Sequence, residues 1–141
     1  MAKAKPPASD TYDFGDGPVP AAQHPNGGGW VADTATVAPT AHVGPDAVVY
    51  DYAQVFDHVQ VRDFARVYEY AQMGDHAQIG GAAQLYGHAQ AFERVLMFGS
   101  CQIHGHAQLY GLAQVSGGAE VAGHTRLYGS SRLSGEDRLV D

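Results

Sequence analysis

The chain has 141 residues, 15 acidic against 8 basic side chains, a formal net charge of −7 and a single cysteine, Cys101. This length holds one domain with a leading arm, the acidic balance argues against a general nucleic-acid binder, and one thiol excludes an internal disulfide. Neither a signal peptide nor a membrane-spanning apolar run is legible. The expectation is therefore a cytoplasmic protein, or part of a virion assembled in the cytoplasm, with no membrane and no nucleic acid as partner.

Residues 1–30 belong to no repeat. MAKAKPPASD is small, polar and proline-bearing, and TYDFGDGPVPAAQHPNGGG alternates aromatic with turn residues. Alone, such a segment would be disordered. Order requires something to hold it: its own body, a neighbouring copy or a partner. Tyr12, Phe14 and Val19 are the expected anchors. Trp30 is expected to plug the open top of the core, because an uncovered first turn leaves apolar side chains wet and strand edges free to pair.

From Val31 the chain is written in sixes. Residues 49–90 read VYDYAQ, VFDHVQ, VRDFAR, VYEYAQ, MGDHAQ, IGGAAQ, LYGHAQ, and the phase holds for eighteen consecutive sixes, ending at Arg138. A large aliphatic residue opens each six, a small one stands fifth and Gln often closes it. A fixed short period decides the architecture before local propensity does. No period near 3.6 fits both apolar columns, so this is not a helix. Two inward places per six suit a short strand and a corner, and three such sides close a triangular coil of eighteen residues. Coils stacked as parallel strands at about 4.8 Å give six turns and a prism roughly 30 Å long. The fold class expected is all-β: a parallel β-helix over residues 31–141 with an extended N-terminal arm over residues 1–30.

These sixes resemble the hexapeptide-repeat superfamily, whose fold is the left-handed parallel β-helix. The similarity covers about three quarters of the chain. The hand is implied by the resemblance alone, since general chirality rules favour right-handed crossovers. Within the superfamily the chain is most similar to small uninterrupted hexapeptide proteins of bacteria and tailed phages, several of which share an entry like Gly28-Gly29-Trp30-Val31. Trimers about a three-fold axis are common there.

The third and fourth places make the corners. Pro39 and Pro45 stand third, where φ near −65° suits a turn. Asp or Glu fills most third places before Gly81, and Gly most from there on. His58, His76, His88, His106 and His124 stand fourth, where unusual backbone angles are expected. AFERVL is out of character: Ala91 and Val95 exchange volume, while Phe92, Leu96 and Phe98 make the exterior locally apolar. Cys101 falls in the inward small-residue column and reads as a buried small hydrophobe. Asp137 falls in the same column, which places the opening of the helix to water there.

Residues eighteen apart stack on one side. Tyr50, Tyr68, Tyr86 and His104 form an outward ladder, with Tyr52, Tyr70, His88, His106 and His124 at the adjoining corner. A second side carries Phe56, Phe92, Tyr110 and Tyr128. Rings at strand spacing either stabilise the prism itself or, as more apolar surface than a monomer usually shows, are buried in a homo-oligomer.

The stacked histidines invite a metal. Hexapeptide-type carbonic anhydrases, however, use an H-x4-H pair that is absent here. The stacked carboxylates Asp33, Asp51 and Glu69, and Asp57, Asp75 and Glu93, repel one another, which either a hard cation or solvation relieves. Acyltransferases of the superfamily commonly interrupt their coils with a loop that helps form the active site. No six is interrupted here, so nothing closes over a thioester. Neither catalytic residues nor a metal or other cofactor are assigned. Nine of the eighteen closing residues are Gln, a polar uncharged surface that, with the ring of Arg126, Arg132 and Arg138, reads either as solvated exterior or as a docking element. The functional expectation is a non-catalytic structural or docking protein. It would be a homotrimer tied by residues 1–30 to a larger assembly such as a phage capsid. The alternatives are an acyltransferase-like enzyme and an inhibitor that sequesters a ligand or protein.

Overall fold

The computed structural model describes residues 10–140; residues 1–9 of the expected arm lie outside them. Every described element is a strand. β1 (Thr11–Asp13) and β2 (Pro18–Gln23) form an antiparallel hairpin, and β2 pairs antiparallel with β3 (Trp30–Ala32). Two-residue strands then recur every six residues, from β4 (Thr36–Val37), β5 (His42–Val43) and β6 (Val48–Val49) to Arg138–Leu139. They line up in three walls. The first wall has nine strands, β1-β2-β3-β6 and then every third strand down to Arg138–Leu139; the second and third have six each and begin at β4 and β5. All pairing below β3 is parallel, as in Gln72 with Gln90 and Gln78 with Leu96. The chain is a parallel β-helix of about six turns.

The six-residue pattern produces this through two local requirements. The first is that side chains alternate along a strand, so the opening aliphatic points inward while the residues on either side of it point out. Val43, Val55, Met73, Ile79, Leu85, Met97, Ile103 and Leu109 are fully buried, and so are the small fifth-place residues Ala53, Ala71, Ala89 and Ala107. Ala91 and Val95 are both fully buried too, so their sizes exchange inside one coil without opening a void at the surface. The second requirement is a β-turn at each corner, closed by a bond from the fifth-place N–H to the second-place carbonyl, as in Ala71 to Tyr68 (3.3 Å).

At most corners that turn has φ > 0 at its first central residue, a conformation that Gly, Asn and Asp adopt most easily. The third place supplies it: Asp51, Asp57, Asp63, Glu69, Asp75 and Glu93 have φ between 56° and 63°. The unusual angle thus falls on the third place and not on the fourth-place histidines, none of which has positive φ. Pro39 and Pro45 also keep negative φ, and the turns they occupy still close, from Ala41 to Ala38 and from Ala47 to Gly44.

The acidic corners do a second job. Each carboxylate accepts the peptide N–H of the corner residue one coil below. Asp57 Oδ2 accepts from Asp75 N (3.0 Å), Asp63 Oδ2 from Gly81 N (2.9 Å) and Asp75 Oδ2 from Glu93 N (3.0 Å). Glu69 Oε1 likewise accepts from Gly87 N (2.9 Å). The repulsion expected between stacked carboxylates is offset by backbone donors, since charge-assisted hydrogen bonds of this kind are the strong ones.

Both ends depart from the pattern. Trp30 does not plug the core. It is the residue before an inward opener, so it points outward, where its ring stacks on Tyr12 at 5.0 Å. His24 is the buried side chain at this end: it bonds the Ala41 carbonyl through Nε2 at 2.8 Å and, with the partly buried Val31, Ala35 and Val37 of the first coil, lines an open recess at the top of the core. The backbone of residues 26–29 then closes the top edge of the third wall, with Val43 N donating to Asn26 O and Gly29 N to Val43 O. At the other end Asp137 is exposed and its Oδ2 accepts Ser134 N at 3.0 Å, in keeping with an inward column that has reached water.

Two predictions follow from the packing of the coils. A Cβ at Gly99 (φ +72°) would lie 2.7 Å from Gly117 N, whereas one at Gly129 (φ +64°) would meet nothing within 4 Å. Gly129→Ala should therefore cost about 1–2 kcal/mol for the left-handed backbone alone. Gly99→Ala should cost clearly more, read as the difference between the two midpoints in denaturant unfolding. Cys101 is fully buried and its thiol is pushed up to about 12 by that burial. A thiol reagent should leave the folded protein unmodified at pH 8 and titrate one thiol on unfolding.

Candidate interaction surface

The walls set what the second-place side chains do. On the first wall Tyr50, Tyr68, Tyr86 and His104 repeat at the coil spacing, so their rings stack at 4.9, 4.9 and 4.8 Å with interplanar angles of 2°, 6° and 6°. Phe14 of the arm continues the column upward, 4.6 Å from Tyr50, and Tyr12 links Phe14 (4.8 Å) to Trp30. Three of the four expected arm anchors, Tyr12, Phe14 and Trp30, therefore bind the arm to its own prism. The fourth, Val19, pairs with Tyr12 in the hairpin register and stays 39% exposed.

The hydroxyls of this ladder are not idle. Tyr68 donates to Gln84 Oε1 at 2.9 Å, one coil down on the neighbouring outward column. Burial pushes the Tyr50, Tyr68 and Tyr86 phenols above their ordinary value, which keeps them neutral donors. At the foot of the column His104 Nε2 lies 2.7 Å from Glu120 Oε2, and Arg138 Nε donates to Glu120 Oε1 at 3.0 Å. The hydrogen bond from His104, then that from Arg138, holds the Glu120 carboxyl below the usual carboxylate range.

The corner column stacks in the same way. Tyr52, Tyr70, His88, His106 and His124 follow one another at 5.4, 5.0, 5.0 and 5.1 Å. Stacking places these imidazoles face to face, and among the described residues no three His, Cys, Asp or Glu side chains converge as metal ligands.

The second wall is less regular. Phe56 is separated from Phe92 by Gly74, and Phe92 leans upward to fill the gap: a Cβ at position 74 would lie 2.7 Å from its Cδ1. Phe92 and Tyr110 then stack loosely at 6.2 Å, while Tyr128 is 67% exposed. On the third wall Phe98 covers Gly80 in the same manner, with the Arg62 guanidinium 5.9 Å from its ring. The apolar exterior around AFERVL is thus partly spent on covering glycines of the coil above. An amide ladder along the Gln column is represented by one bond, Gln90 Nε2 to Gln72 Oε1 at 3.3 Å.

The sequence pattern brought the stacked residues together correctly, because a register of eighteen fixes them. It missed the upward continuation by Phe14, the buried His24 and the second role of the acidic corners. The first two depend on a segment outside the repeat, and the third on the reach of a side chain, which a count of positions does not give. Comparison with known proteins finds no matching family model, curated protein or solved structure.

Replacement of Glu120 tests the foot of the ladder. Its carboxyl is held low, so its contribution to stability should be present above the ordinary carboxylate range and lost as the pH falls through the lowered value. Glu120→Gln should melt below the parent protein at pH 7, and the two melting curves should converge in acid.

Proposed function

We propose that the protein is a non-catalytic structural or docking element of the hexapeptide type, wound left-handed. In this reading it self-associates through its second wall as a homotrimer and joins a larger assembly, such as a phage capsid or virion, through its N-terminal segment. The distribution of uncovered aromatic surface carries this reading. The first wall's rings are stacked, bonded to Gln84 and capped by Phe14. The third wall presents mostly small or polar second-place residues, Gly44, Gly80, Ser116 and Ser134. The second wall leaves Phe56 and Tyr128 exposed, with Tyr52 and Tyr70 exposed along one flanking corner and Leu112 along the other, whereas the opposite corner, between the third and first walls, exposes the single aromatic Phe64.

Uncovered apolar stripes of this extent favour association. A ring needs two different patches per copy, since its contacts are heterologous, and the two flanking corners supply them. The Gln54, Gln72, Gln90 and Gln108 column offers uncharged polar contact between them. The non-catalytic part of the reading is supported by the walls themselves. The parallel register runs from β3 to Arg138–Leu139 with no inserted loop that would shield a reacting substrate from water. Eighteen sixes in one phase support the hexapeptide assignment. The arm is tied to its own prism by the pairing of β2 with β3 and by Phe14 on Tyr50, so in this reading the reach toward an assembly falls to residues 1–9 and to β1, the outer strand of the first wall. A virion, or the cytoplasm in which it assembles, is the compartment this implies.

Light scattering should give three times the monomer mass. Phe56→Glu combined with Tyr128→Glu should reduce it to one, while Ser116→Glu on the third wall leaves it unchanged. A parent protein of monomer mass would remove the oligomer, and an intact trimer in the double variant would remove the second wall from it. Deleting residues 1–9 keeps every hairpin contact described above and should abolish attachment to the assembly without altering the trimer.

A further inference from the structure

The arm does more than cover an edge. Between the hairpin and the first coil it leaves a half-open cleft of roughly 340 Å³, walled by Phe14, Val19, Tyr50 and Tyr52 and lined also by Asp16 and Asp33. Among the described residues no Lys, Arg or His lines it. Asp51 stands in the lining as well, its Oδ2 accepting Glu69 N at 3.2 Å, and Asp33 too has contacts of its own, which leaves Asp16 as the carboxylate the ligand would meet.

Three features of this cleft select the same kind of ligand. First, Tyr52 begins the corner ladder: Tyr70 stacks beneath it at 5.4 Å, but position 34 one coil above is Thr and no ring covers the other face. An uncovered aromatic face flanked by apolar side chains attracts a cation through the ring quadrupole. Second, the charged residues among the described lining of the cleft are all carboxylates, Asp16, Asp33 and Asp51, while the nearest guanidinium, that of Arg66, is engaged by the Tyr50 hydroxyl. Third, Val19, Pro20 and Ala32 make part of the lining apolar, which favours an alkyl stem over a hydrated metal ion.

We propose that this cleft binds an organic cation on an apolar stem, an alkylguanidinium or alkylammonium group. Such a group occurs both as a free small molecule and as the side chain of Arg or Lys. Its charge meets Asp16, its flat or methylated head lies on the open face of Tyr52, and its stem lies along Val19. Because the cleft has one wall from the hairpin and the other from the first coil, a bound cation also ties the hairpin down. Binding to the docked arm alone stabilises that arm by linkage.

The test uses the full chain, with n-butylguanidinium and n-butylammonium as probes and n-butanol and butyrate as neutral and anionic controls of the same length. Both cations should shift the Tyr52 and Phe14 ring resonances saturably and slow amide exchange in β1 and β2, while the controls do neither. Asp16→Asn should weaken binding roughly tenfold, the scale of one charge-assisted contact. Tyr52→Leu, which keeps an apolar wall but removes the π face, should weaken it about fivefold. Residue 16 is exposed and Tyr52 is 55% exposed, and an unchanged amide spectrum elsewhere verifies that each variant is folded. A peptide carrying one Arg between glycines separates the two sources: tighter binding than the free cation assigns the cleft to a protein side chain, and equal or weaker binding assigns it to a small molecule. Equal binding of butanol, or unaltered affinity in the Asp16→Asn protein, overturns the proposal.

Discussion

The spacing between coils is the quantity on which the rest of the molecule depends. Parallel strands held by backbone hydrogen bonds lie a little under 5 Å apart, and here the bond from each closing residue's N–H to the carbonyl seventeen residues on fixes that distance. Gln72 to Ala89 (3.0 Å) and Gln90 to Ala107 (2.9 Å) are two of a continuous series. The same interval is close to the stacking distance of aromatic rings. A ring placed once per coil therefore meets its neighbour in contact without any adjustment of the backbone, and the columns stack at 4.6–5.4 Å. The carboxylate corners obey the same interval, since an Asp side chain is long enough to span one coil and reach the next peptide N–H.

This constraint also explains why so much of the fold was legible in the sequence. Each inward residue is specified twice, by its place in the six and by the coil above, so Val55, Met73 and Ala91 could be assigned to the core from period alone. The ladders of Tyr50, Tyr68 and Tyr86 and of His88 and His106 follow from arithmetic in eighteens. The corner conformation was harder to read, because Asp, Gly and His all tolerate φ > 0 and two adjacent columns were rich in them. Counting side chains could not say that the third place carries the strain. The placement of the turn bond, fifth place to second, decides it.

Outside the repeat that reasoning had nothing to hold. Trp30 was given the core because it precedes the first inward valine, yet its parity along the strand turns it outward, and the buried side chain at that end is His24. A histidine suits that position because the buried carbonyl of Ala41 stands at the top of the third wall with no coil above to supply a donor; a purely apolar side chain would leave it unpaired, at a cost of about 1–3 kcal/mol. Phe14 was recognised as an anchor, but its partner was not, since nothing in a linear pattern says that a glycine-rich hairpin folds back to place one ring on top of Tyr50.

A perfect repeat limits the chemistry a surface can do. Stacking brings each side chain against copies of its own type: Tyr on Tyr, His on His, acid above acid. Sites that recognise a particular ligand need unlike groups converging on one point. Inside the repeat unlike groups meet as surface clusters, such as His104, Glu120 and Arg138; they line a cleft at the arm, where a hairpin of different composition lays Phe14, Asp16 and Val19 against Tyr50 and Tyr52. The walls below offer extent and flatness, which suit contact between large bodies, and the capped end offers a shaped cleft, which suits one small group. The division follows from the same register: what makes the prism regular enough to stack also confines specific recognition to the one end where another fold is added to it.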